Sequence, residues 1–121
     1  MDNTHQKHVF KKDRYSRARR GNSHFLDIFC STCKDHIFLY QKDGLGALIR
    51  AYLDRIFDPM ELATLQARWR GKGDMMRLEC SNCHALIGIP MVYKPENRLA
   101  FRLVRGAFGK KKSDGTYPPK L

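Results

Sequence analysis

The chain has no long apolar run. Its longest, residues 85–92, is interrupted by Gly88 and Pro90 and falls far short of the roughly 20 residues a membrane helix needs. The first 20 residues carry no apolar segment of the kind a secretory signal uses. An intracellular protein, cytoplasmic or nuclear, with no membrane partner is therefore expected. Acidic residues are scarce, 12 Asp+Glu against 23 Lys+Arg, which leaves a formal net charge of +11. Cysteine is confined to four positions. No glycine-rich phosphate loop is visible, since Gly44-x-Gly46 and Gly71-x-Gly73 read as turns. A length of 121 residues excludes a large multi-domain enzyme, while a hydrophobic fraction of 42% suffices for a modest core.

The positive charge is clustered. Residues 7–20 hold seven basic residues and one acid, residues 94–112 hold the same, and residues 21–93 balance at eight of each. A neutral middle thus lies between two basic stretches. Such stretches either keep a chain soluble as disordered ends or attract a polyanion. The clustering favours the polyanion.

Residues 1–22 read as a basic tail, with only Val9, Phe10 and Tyr15 as larger apolar side chains. The core is expected over 23–108. Phe25, Leu26, Ile28 and Phe29 lead into Cys30-Ser31-Thr32-Cys33, and Ile37 to Tyr40 follow, which reads as strand, tight turn, strand. Cys80-Ser81-Asn82-Cys83 has the same setting, with Leu86, Ile87 and Ile89 after it. After the turn signal Lys94-Pro95-Glu96-Asn97, residues 99–104 read as a further strand. Residues 41–57 fit both an amphipathic helix and one face of a strand. Asp58 as a cap, Pro59 and Glu61 predict a short helix over 59–70, with Leu62, Leu65 and Trp69 on one face. Residues 109–121 read as a C-terminal tail of loop or disorder. The expected fold class is mainly β (α+β): a small zinc-stabilised domain of two knuckle hairpins with a short helix and basic disordered tails.

Cys30-x2-Cys33 and Cys80-x2-Cys83 are the strongest signal. Two residues between cysteines let a tight turn aim both sulfurs at one point about 2.3 Å away, and two such knuckles complete a tetrahedral zinc site. An iron–sulfur cluster would accept the same four thiolates. Disulfides suit an oxidising compartment that nothing here indicates. A redox pair needs a helix starting at the motif, where strands are expected. One structural Zn²⁺ is the favoured occupant, with His36 and His84 as neighbours rather than ligands.

Paired knuckles on strands with a long interval between them resemble the β-tent zinc folds. That group includes yippee-like proteins, a Rab-binding chaperone family, the R-sulfoxide methionine reductases and the RNA-sensing C-terminal domains of certain innate-immune helicases. The likeness spans roughly residues 25–104 and rests on Cys30, Cys33, Cys80 and Cys83 with their flanking strands. A reductase of this kind would need a further reactive cysteine, and the chain has none.

With every thiol committed to zinc, an enzyme is not expected. The expected function is nucleic-acid binding, RNA or DNA, by a monomer. The candidate contacts are Lys11, Lys12, Arg14, Arg17, Arg19 and Arg20 in the tail, Arg98, Arg102 and Arg105 on the strand, and Lys110, Lys111 and Lys112 beyond it. Tyr15, Tyr93 and Phe108 are candidates for stacking on bases. The alternative is an adaptor that docks a protein partner through Leu62, Leu65 and Trp69.

Overall fold

A computed structural model of the chain describes residues 5–18 and 21–119. Its strands in chain order are β1 (Gln6–Lys7), β2 (Ser23–Cys30), β3 (His36–Asp43), β4 (Arg50–Tyr52), β5 (Ile56–Asp58), β6 (Leu78–Glu79), β7 (Leu86–Tyr93), β8 (Arg98–Leu103), β9 (Phe108–Ser113) and β10 (Thr116–Tyr117). Two antiparallel four-stranded sheets, ordered β5-β3-β2-β9 and β4-β8-β7-β6, face each other, and β1 pairs with β10 as a separate ribbon.

The strand pairing explains which residues are buried. Leu26, Tyr40 and Ile56 lie side by side across the first sheet, as do Ile28 and Phe38 in the next row. Ala51, Phe101 and Pro90 do the same in the second. Residues of the two rows meet in one core that includes Ile28, Phe38, Tyr40, Leu53, Ile87 and Phe101. Gly88 allows the close approach of β7 and β8, because a Cβ there would lie 2.9 Å from Cβ of Phe101. The Tyr40 hydroxyl ties the sheets together, accepting from the Tyr52 N–H at 2.9 Å and donating to the Arg50 carbonyl at 3.3 Å.

The ambiguous stretch 41–57 is extended rather than helical. β3 continues to Asp43, and after a loop the chain forms β4, a 3-10 turn Leu53–Arg55 and β5. The helix expected over 59–70 is two single turns, α1 (Met60–Ala63) and α2 (Leu65–Arg68), broken at Thr64. Asp58 does not cap α1; its carboxylate pairs with His8 instead. Leu65 is buried, and Leu62 and Trp69 pack on the same core, with the Trp69 ring edge-on to Phe101.

The two expected tails are where sequence and structure differ most. Over 5–18 the chain runs across the outer face of the first sheet. The Phe10 ring stacks on Phe25 with centroids 4.4 Å apart. The Gln41 side chain brackets the backbone of Lys11, accepting from its N–H at 2.8 Å and donating to its carbonyl at 3.0 Å. Asp13 reaches Arg55, and Tyr15 lies over Arg98. At the other end the sheet continues past the expected boundary at Phe108, because Lys110, Lys111 and Lys112 pair with Ile28, Asp27 and Leu26. Gly115 then turns the chain beneath Phe25 at φ +91°, where a Cβ would come within 2.7 Å of the ring. The terminal segments therefore form a third layer, and the fully buried Leu39 and Gln41 lie beneath it. The physical reason is pairing at a distance: His8, Phe10, Lys11, Asp13 and Tyr15 all find partners far along the chain. Arg19 and Arg20 lie outside the described residues.

Candidate functional site

The two knuckles are built alike. In the first, the Cys30 N–H donates to the Asp35 carbonyl and the Lys34 N–H donates back to Cys30. In the second, Cys80 donates to Ala85 and His84 donates back to Cys80. Lys34 and His84, each four residues after the first cysteine, both adopt positive φ, at 70° and 64°. That left-handed step turns the chain back on itself, so that the Asp35 and Ala85 carbonyls meet the N–H groups of Cys30 and Cys80. The weak internal repeat in the sequence is thus a repeat of backbone geometry.

The knuckles bring Cys30, Cys33, Cys80 and Cys83 together with all four sulfurs within 4.8 Å of one another. Sγ of Cys30 is 3.6 Å from Sγ of Cys83, and Sγ of Cys33 is 3.5 Å from Sγ of Cys80. Four sulfurs about 2.3 Å from a common centre would be about 3.8 Å apart in a regular tetrahedron. Four cysteines this close together could hold a metal ion. His36 is engaged elsewhere, with Nε2 2.8 Å from Asp27, and His84 is exposed.

The thiols differ in acidity. Backbone N–H groups of Cys33, foremost, and Thr32 hold Cys30 down to about 6. The Asn82 side chain and the Asp35 backbone lower Cys33. Cys83 is pushed up to about 12: the Ala85 backbone lowers it, but burial and the three neighbouring sulfurs outweigh that. Some thiolates form readily, and the last is opposed by those already there. A cation at the centre removes that opposition, so metal uptake releases protons.

A second feature lies beside the first knuckle. The Ser31 N–H donates to the Ala107 carbonyl, and Phe108 pairs with Cys30, so the cysteine cluster abuts the start of β9. There the two sheets part to leave a cavity of about 580 Å³, lined by Leu48, Ile49, Leu103 and Phe108 and by the cations of Arg102, Arg105 and Lys110. No acidic side chain lines it. None of these three cations has an ion pair among the described residues. Arg102 also sits opposite Arg50 across β8 and β4. Like charges in that position cost stability. Arg50 is held by the Tyr93 ring, 4.2 Å from its guanidinium.

The expected basic residues divide accordingly. Arg102, Arg105 and Lys110 come together. Lys111 points to the other side of β9 with its ammonium over Phe29, and Lys112 is exposed on the same edge strand. Lys11, Lys12, Arg14 and Arg17 belong to the N-terminal segment and do not line the cavity. Arg14 donates to the Tyr15 hydroxyl, and Lys11 to the Asp54 carbonyl. Arg98 must be withdrawn from the surface set. It is buried, pairs with Asp54 at 2.7 Å and Glu96 at 2.9 Å, and is sandwiched between Tyr15 and Tyr52. Strand alternation put Arg98 and Arg102 on one face, and did not foresee that the N-terminal segment covers one end of it. Tyr15 and Tyr93 are likewise engaged with arginines, which leaves Phe108 at the cavity. The role of Leu48 and Ile49 had no signal, because it depends on a backbone bond from the Leu103 N–H to the Ile49 carbonyl. Of the stripe Leu62, Leu65 and Trp69, Leu65 is buried in the core, while Leu62 and Trp69 pack against it and stay partly exposed.

Among the described residues no helix is long and apolar enough to cross a membrane. No family model, no curated protein sequence and no solved structure gave a significant match to the chain.

Proposed function

We propose that this is a non-catalytic nucleic-acid-binding protein whose fold is closed by one structural zinc ion. Cys30, Cys33, Cys80 and Cys83 would hold the ion, which joins the β2–β3 hairpin to the β6–β7 hairpin. Two CxxC knuckles that supply four thiolates are the usual donor set of a structural zinc site, and elemental analysis separates zinc from iron, which takes the same donors. The paired knuckles between two sheets support the likeness to the β-tent group in architecture. With four thiolates on one Zn²⁺, no thiol is left for chemistry, and the centre carries a charge of −2.

The observation that carries the nucleic-acid reading is the cavity lined by Arg102, Arg105 and Lys110 with no acid among its walls. Arg102 on β8, Arg105 in the turn after it and Lys110 on β9 are exposed and unpaired among the described residues, an arrangement that a polyanion complements. The lysines of β9 have a second use, since charge on an edge strand discourages pairing with other chains. Salt separates the two roles. The zinc-loaded protein should be titrated with RNA and DNA at two salt concentrations. Phosphate contacts predict affinity that falls steeply with salt. Absence of binding to either nucleic acid at low salt would leave the lysines as edge protection only and overturn the reading.

A further inference from the structure

We infer that the cavity between the sheets takes single-stranded rather than duplex nucleic acid, an inference that rests on the nucleic-acid reading above. Three features of the cavity point this way. The first is shape. Base sequence in duplex DNA is read by an element inserted into a major groove about 12 Å wide, which calls for a protruding element. Here Arg102, Arg105 and Lys110 surround a concavity of about 580 Å³. A duplex could meet only its rim, whereas an unpaired strand can enter.

The second feature is the mixture of groups. Phe108 and Lys110 lie on the same side of β9, the side that carries Cys30 and Ile28 of the neighbouring strand. Phe108 is half-buried, and Ile49, which also lines the cavity, is 51% exposed. A half-exposed aromatic ring beside a lysine, with an isoleucine in the same cavity, gives an unstacked base an apolar surface and its phosphate a cation. Aromatic stacking combined with a cationic groove is how single strands are bound without sequence readout. A duplex keeps its bases stacked inside and would leave Phe108 and Ile49 unused.

The third feature is the bare backbone. Gly106 and Gly109 both border the cavity, and a Cβ on either would meet nothing within 4 Å. β9 is also the outermost strand of its sheet. Its free edge offers backbone N–H groups to a strand lying along it.

The test uses the zinc-loaded full chain and labelled oligonucleotides of roughly ten nucleotides, within the usual single-strand site size. RNA and DNA are each offered as a single strand and as a duplex of the same sequence, at two salt concentrations. The single strands should bind at least about tenfold more tightly than the duplexes. With three phosphate contacts, log affinity should fall against log salt with a slope of about −2. Lys110→Ala should reduce that slope by about 0.7. Phe108→Leu keeps an apolar group against the core and removes the aromatic face, so it should weaken single-strand binding about tenfold with the slope unchanged. Equal or tighter binding of duplex would overturn this inference and leave the nucleic-acid reading standing. An unaltered affinity in a folded Phe108→Leu protein would overturn the stacking role. Binding of neither form at low salt would overturn the underlying reading and this inference with it.

Discussion

Asp13 grips both terminal nitrogens of Arg55: Oδ1 lies 2.7 Å from Nη2, and Oδ2 lies 3.1 Å from Nη1. Arg55 is almost completely buried, and Asp43 holds its Nε at 2.8 Å from the other side. The N-terminal segment thus completes the coordination of a cation that the core could not bury alone. Asp13→Ala should free residues 5–18 from the sheet while leaving the two sheets intact. Hydrogen exchange and limited proteolysis should both report faster opening of that segment. Unchanged protection would show that Phe10 and Gln41 hold it without the ion pair.

The same contact sets a pH dependence. Hydrogen bonds from Arg55, foremost, bring the Asp13 carboxyl from its usual 3.8 down to about 2. A carboxyl lowered on folding contributes stability that is complete above 3.8 and is lost as pH falls through about 2. Protection of the N-terminal segment should therefore decline between these values in the wild type. In Asp13→Asn that component of the decline should be missing.

Asp43 has the larger structural share. Its side chain is 5% exposed, it accepts from Arg55, and it also accepts from Gln41 and Ser23. Asp43→Ala leaves the guanidinium paired with Asp13 but takes the acceptor from the buried Nε of Arg55 and from the Gln41 amide, at a cost of about 1–3 kcal/mol for a donor left unsatisfied. Denaturant unfolding of Asp43→Ala should show a loss of that order, and a loss below about 1 kcal/mol would contradict it.

Tyr40→Phe tests the tie between the sheets. The variant keeps the ring in the core and removes the hydroxyl, so the buried Tyr52 N–H loses its acceptor. An unsatisfied buried donor costs about 1–3 kcal/mol. A neutral effect on unfolding free energy would mean that the N–H finds another acceptor.

What was legible in the sequence was local. Each CxxC motif contains both of its sulfurs within four residues, so the knuckles and their flanking strands could be read directly, and the metal cluster followed from pairing them. The mainly β class followed from the aromatic and β-branched residues around Cys30 and Cys83. The terminal layer was not legible, because its contacts join residues distant in the chain: Lys11 with Gln41, Asp13 with Arg55, Tyr15 with Arg98. Composition marks such segments as polar and basic, and only the partners reveal that they are docked. Charge clustering marks the basic stretches but does not say which cations share a surface. Charge clustering named Arg98 and Arg102 alike, and the structure separates them by what covers each.

Charge reversal distinguishes site residues from bystanders. Arg102→Glu should lower nucleic-acid affinity more than Lys12→Glu, because Arg102 is held on a strand at the cavity and loses less freedom on binding. Equal effects from the two variants, measured at one salt concentration, would point to diffuse attraction by net charge.

The metal centre bears the most weight in this account, and metal analysis of the purified protein by native mass spectrometry with elemental quantification tests it most directly. One zinc per chain is expected, absent from a Cys33→Ser or Cys80→Ser protein that is also unfolded or severely destabilised. A wild-type protein that contains no zinc, or that keeps its melting temperature after a strong chelator has stripped the metal, would contradict it.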